Sequence, residues 1–117
     1  MKCTDQRNFQ YIVEMQNRKV PNFIKRSQFY VSNAYASQLG DAVDYLVLKP
    51  VILLTIANHT LFPVKNDYIS YHKTLATTTH EPDLEDLAYA FVELHKFGRE
   101  RGRRQGRQKG RTGSENN

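Results

Sequence analysis

Alternation of apolar and polar side chains marks the stretch Gln10–Gln16. Read as a strand, it puts Tyr11, Val13 and Met15 on one face and Ile12, Glu14 and Gln16 on the other. An acid and an amide thus project side by side from an otherwise apolar strand. Val51–Ala57 is a continuous run of apolar residues with Thr55 as its one polar member, which predicts a strand covered on both faces, and Pro50 stands at its start, where a missing N–H does least harm. Between these strands, Pro21 and Asn22 end the extended region, and Asn22 is placed to cap a helix over 23–39. Ile24, Val31, Ala34, Tyr35 and Gln38 recur there at helical spacing, and Gly40 supplies the stop. Strand, crossover helix and strand form a βαβ unit, so the two strands are expected to be parallel.

The remaining pattern is weaker. Residues 4–8 are polar and turn-prone and read as the tip of a hairpin, with only Met1, Lys2 and Cys3 before it as a first strand. Residues 41–45 suit a linker or a helical turn. Residues 68–75 alternate Ile69, Tyr71, Lys73 and Leu75 against Tyr68, Ser70, His72 and Thr74, which predicts a strand with one wet face. Residues 83–94 fit two periods. Leu84, Leu87, Ala88 and Phe91 suit a helix, whereas Tyr89, Phe91 and Glu93 against Ala88, Ala90, Val92 and Leu94 suit a strand.

Length and composition allow one small domain: 117 residues, 39% hydrophobic and 11% aromatic, suffice for a modest core. The longest apolar run is too short to span a bilayer, and the first residues lack the apolar core of a leader. A single cysteine, Cys3, excludes an internal disulfide and suits a reducing cytoplasm, where the protein is expected. His59, His72, His80 and His95 show no metal-ligand spacing, and Gly40 is the only glycine before residue 98, so no phosphate-cradling loop exists there.

Charge divides the chain. Residues 98–117 carry six Arg and one Lys against two Glu, while residues 1–97 carry ten basic and ten acidic side chains. The whole formal net charge of +5 therefore sits in the tail. That tail is a degenerate repeat of tetrapeptides beginning with Gly, has no apolar residue, and is expected to stay disordered beside a folded unit over 1–97. Arg99, Arg101, Arg103, Arg104, Arg107, Lys109 and Arg111 would make it a nucleic-acid arm that works by neutralising phosphates.

Several runs, in order, resemble transposases of the PD-(D/E)XK nuclease family, the recombination-promoting nucleases. They are Ile12-Val13-Glu14-Met15-Gln16; Lys25-Arg26 leading into Tyr30; Tyr35-Ala36-Ser37-Gln38-Leu39; Tyr45; Leu48-Lys49-Pro50-Val51-Ile52; Leu61-Phe62; and Phe91-Val92-Glu93-Leu94. The resemblance implies an α/β fold, a restriction-endonuclease-like core with a mixed sheet and one main helix, and favours a strand from about Leu87. It also implies DNA as partner and magnesium-dependent hydrolysis of a phosphodiester in recombination. In that family an Asp on one strand of a hairpin and a Glu on the next hold the metal, which assigns Glu14 as the metal ligand. Gln16 stands where a Lys or Gln contacts the attacking water or the phosphate. Tyr35 and Gln38 are candidates to face Glu14 from the helix, the alternative being ordinary helix packing.

The partner Asp is the missing piece. A turn centred on residues 5–8 makes facing positions sum to about 13, which puts the partner of Glu14 before Met1. Asp5 cannot substitute, because it lies at the tip, roughly 15–20 Å from Glu14 along the strand. The expectation is therefore an N-terminally truncated, inactive remnant of a transposase-associated endonuclease, with Glu14 and Gln16 vestigial and Mg2+ not functionally bound. The alternative is a non-catalytic nucleic-acid-binding protein acting through its tail. The strand 10–16, deprived of its hairpin partner, is expected to be an edge through which the chain self-associates.

Overall fold

The computed structural model describes residues 1–41 and 43–97. Five strands make one mixed sheet: β1 (Lys2–Thr4), β2 (Gln10–Gln16), β3 (Val51–Ala57), β4 (Ile69–Thr74) and β5 (Leu84–Glu93), in the order β1-β2-β3-β5-β4. β2, β3 and β5 are parallel, and β1 and β4 close the two edges antiparallel. One helix, α1 (Phe23–Ser37), crosses from the end of β2 back toward the start of β3. A 3-10 turn follows at Tyr45–Val47.

Register explains what α1 covers. Gln10, Ile12, Glu14 and Gln16 stand level with Val51, Leu53, Thr55 and Ala57, and these with Leu87, Tyr89, Phe91 and Glu93. Phe23, Ser27, Val31 and Ala34 form the buried stripe of α1, spaced four, four and three residues apart. Val31 and Ala34 meet Ile12, Val51 and Leu53, with Tyr35, Leu87 and Tyr89 packed around them. Leu53 and Val51 are fully buried, each worth about 1.5–3 kcal/mol relative to exposure. Ser27 survives in this stripe because its hydroxyl donates to the Ile24 carbonyl at 2.7 Å.

Four expectations need correction. β3 is not covered equally on its two faces: Val51, Leu53, Thr55 and Ala57 are buried, while Ile52, Leu54 and Ile56 are only half-buried. The cause is that α1, the one crossover helix among the described residues, covers one side only. Asn22 occupies the N-cap position, but in the left-handed region (φ 58°) and without a side-chain hydrogen bond to the first turn. The hairpin keeps a short partner strand, and its register is shifted by one: Lys2 faces Ile12, Cys3 faces Tyr11 and Thr4 faces Gln10. The shift follows from a three-residue loop: the Asp5 and Phe9 backbones meet at 3.2 Å, and Asn8 takes positive φ (66°). Pairing extends to Val13, whose amide donates to the Met1 carbonyl at 2.8 Å, while 14–16 has no strand on that side among the described residues.

β5 begins at Leu84, three residues before the expected start. Thr74 still faces Leu84, but the register slips between Lys73 and Thr74 to admit the extra residues.

Candidate functional site

Because α1 runs back against three parallel strands, its first turns stand over their C-terminal ends and its last turn over their N-terminal ends. Glu14 and Gln16 belong to the first group. They line a cleft of about 480 Å³ together with Arg18, Phe23, Arg26 and Tyr30. Arg26 and Tyr30 lie one turn apart on the flank of α1 that looks toward β2. Ile24 and Gln28 lie on the opposite flank, over His72, Tyr89 and Phe91.

The polar groups of this cleft lack partners. Glu14 is half-buried and its carboxylate makes no hydrogen bond or ion pair among the described residues. Gln16 is 9% exposed, and its Oε1 is buried with nothing donating to it. Thr55, level with Glu14 on the neighbouring strand, is fully buried with an unpartnered Oγ1. An unsatisfied buried polar atom costs about 1–3 kcal/mol, so the Gln16 and Thr55 oxygens are not fold stabilisers. Arg18 and Arg26 are exposed, and neither guanidinium is engaged by a described residue.

Two strands away, the same end of the sheet is closed. Glu93 and Lys96 are 1% and 3% exposed and form an ion pair at 2.9 Å. Glu93 also accepts from the backbone N–H groups of Leu61 and Phe62 at 2.8 and 3.3 Å, and Lys96 donates to the Phe62 carbonyl at 2.7 Å. Thr60 and His95 meet at 2.8 Å beside them. The cluster pins the loop after β3 to the end of β5. Both ring nitrogens of His59, in that loop, are buried without partners.

Tyr35 and Gln38 are not brought to Glu14. The Tyr35 hydroxyl donates to Asp86 at 2.6 Å, and that bond, reinforced by burial, raises the phenol above its usual range. Asp86 precedes Leu87, whereas Phe91 is the β5 residue level with Glu14, so Tyr35 is held roughly 15 Å down the sheet. Gln38 donates to the Lys49 carbonyl at 2.8 Å and accepts from the Lys49 amide at 2.6 Å, tying the end of α1 to the approach to β3. Helical phase put both residues near the core, but the antiparallel course of α1 put them at its far end. Arg26 and Tyr30, four residues apart in the helix's first half, are what sequence reasoning missed; direction along the helix was the available signal.

Asp5 serves the turn. Its Oδ1 accepts from the amides of Arg7 and Phe9, and its Oδ2 from the Arg7 guanidinium at 2.7 Å and the Tyr11 hydroxyl at 2.9 Å. Burial works to raise its pKa, but these hydrogen bonds outweigh it and lower the value to about 2. In the observed register the position facing Glu14 still falls before Met1. The basic residues of 98–117 lie outside the described residues.

Among the described residues no three His, Cys, Asp or Glu side chains come together, and no helix is long and apolar enough to cross a membrane. No curated protein and no solved structure matches the chain. A family model does, described as PD-(D/E)XK nuclease family transposase, over residues 1–109.

Proposed function

Since the chain belongs to the PD-(D/E)XK nuclease family of transposases, we propose that the cleft above β2 holds a DNA backbone and that the 117-residue chain does so without cutting it. The observation that carries this reading is the pair of guanidinium groups, Arg18 and Arg26, lining one open cleft and engaged by no described residue; the Glu14 carboxylate in the same cleft opposes a phosphate rather than holding it. Guanidinium groups match phosphate oxygens in geometry and charge, and half or more of protein–DNA hydrogen bonds go to phosphate and sugar.

Nucleases of this family typically use a divalent metal, and the described residues do not fit one. They offer a single carboxylate and one neutral amide oxygen, while two guanidinium groups in the same cleft repel a cation. A hard divalent ion gives up its hydration reluctantly and needs more anionic oxygen than that. No hydrolytic step is therefore assigned to Glu14. Gln16 carries no charge and cannot take a proton from water; its free acceptor can orient a water or a donor.

Incubating the purified chain with supercoiled plasmid and Mg2+ tests the reading. Retardation of the DNA without nicking is expected. Nicking that Glu14→Ala abolishes would overturn the inactivity, and absence of retardation would overturn the binding.

The division of charge favours a second reading, in which the tail supplies most of the affinity. Neutralising about five phosphates gives a slope of log K against log salt near −4 to −5. Replacing the seven tail cations by Gln should remove that slope; an unchanged slope would return the affinity to residues 1–97. Self-association belongs to the same proposal, through the edge of β2 at 14–16, which has no neighbouring strand on that side among the described residues. Sedimentation should show mass rising with concentration, and a monomer throughout would refute it.

A further inference from the structure

The outer surface of α1 beside the cleft carries a feature that phosphate binding does not use. Phe29 is 67% exposed on a helix whose other large apolar residues face inward or flank the core. Its ring meets that of Tyr30 edge to face, with centroids 6.4 Å apart and planes inclined by 63°. Tyr30 in turn lines the Glu14–Gln16 cleft beside Arg26. A cation, a hydroxyl and a free aromatic face thus follow one another within two helical turns, from the cleft outward.

We infer that Arg26, Tyr30 and Phe29 form a nucleotide subsite that takes single-stranded DNA, with Arg26 and the Tyr30 hydroxyl on one phosphate and Phe29 under the adjoining base. This rests on the reading of the cleft as a DNA-backbone site and specifies the form of DNA held there. A base can lie flat on Phe29 only if it has left its own stack, which a single strand allows and an intact duplex does not. Phe29 keeps two-thirds of its surface open to solvent beside the Tyr30 ring. Arg26 is on the cleft side of the same turn, so phosphate and base are gripped from one rigid element rather than from loops. Gln16, nine-tenths buried with an unfilled acceptor, lines the floor of the same cleft.

The test uses the full-length chain with its seven tail cations replaced by Gln, so that the arm does not mask the cleft. Fluorescence anisotropy is read with a short labelled oligonucleotide, single-stranded and as duplex. Arg26→Ala should weaken both about tenfold, the loss of a hydrogen-bonded charge. Phe29→Ala should weaken the single strand roughly fivefold or more and leave the duplex unchanged, as for loss of one base stack. Tyr71→Ala, an equally exposed aromatic on the far face of the sheet, should change neither. Glu14→Gln should tighten both by removing a like charge. An oligonucleotide carrying 5-iodouracil should cross-link under ultraviolet light to Phe29 or Tyr30.

If Glu14→Gln tightens binding while Arg26→Ala and Phe29→Ala do nothing, the cleft reading stands and this subsite is wrong. If Glu14→Gln is also silent, the cleft reading itself falls. Equal losses on single strand and duplex for Phe29→Ala would overturn base stacking.

Discussion

Two carboxylates stand at the same end and on the same face of the sheet, two strands apart, and the protein treats them oppositely. Glu93 is sealed: a lysine, two backbone amides and a closed loop consume its charge. Glu14 is half-exposed and engaged by nothing described, and beside it a buried amide oxygen and a buried hydroxyl go unfilled. Taking a charge out of water costs several kcal/mol unless it is paired, so the first corner reads as a fold-holding device. Both corners hold buried polar atoms without partners, ring nitrogens of His59 and His95 at the first and the Gln16 and Thr55 oxygens at the second. What sets the second apart is a carboxylate in an open cleft with two guanidinium groups, none of them engaged by a described residue. An open cleft with unengaged guanidinium groups is where an anionic ligand can complete the hydrogen bonding.

The sharpest way to break the contrast is Lys96→Met. It should leave Glu93 buried and alone and cost about 3–5 kcal/mol in denaturant unfolding, whereas the double change Glu93→Leu with Lys96→Met should recover much of it. Next is Gln38→Ala, which removes two hydrogen bonds to the Lys49 backbone and should cost about 1–3 kcal/mol while leaving DNA retardation unchanged. Weaker retardation would restore Gln38 to the site.

At the open corner, Glu14→Ala should shift the unfolding midpoint by less than about 0.5 kcal/mol, the range of surface changes. A loss of several kcal/mol would mean that Glu14 has a structural partner after all. The smallest effect concerns Asp5, a third carboxylate, spent on the hairpin turn. Its pKa falls from 3.8 to about 2 on folding, so the folded state binds fewer protons and gains stability as pH rises through that window. The benefit should be complete above pH 3.8 and vanish as pH falls through about 2. Asp5→Asn and the parent chain should therefore converge in acid and separate above it.

What the sequence discloses follows from how local each signal is. β2 and β3 could be delimited because Tyr11, Val13 and Met15 alternate strictly and Val51 to Ala57 is apolar but for Thr55. Glu14 and Gln16 were legible as a pair for the same reason, since a period of two puts them side by side. β5 was ambiguous because Leu84, Leu87, Ala88 and Phe91 satisfy a helical period within a run that also alternates. The roles of Tyr35 and Gln38 were unreadable, because helical phase says which face a residue occupies and not which end of the sheet that face meets. The Glu93 cluster was equally hidden: Leu61 and Phe62 reach it across some thirty residues of sequence, and nothing near Glu93 announces a buried partner except Lys96, three residues on.

The strand order has a kinetic side. β3, the centre of the sheet, has no neighbour close in sequence: Leu53 pairs with Ile12 and Tyr89, each about forty residues off, and closing such loops must precede any pairing. Only the edge strands β1 and β4 can zip as hairpins, and neither reaches β3. The most apolar strand of the molecule thus waits longest for its partners, with Ile52, Leu54 and Ile56 bare during the wait and still half-bare afterwards. Refolding should be slow for a chain of this length and should lose material to precipitation as concentration rises, with the loss traceable to residues 51–57.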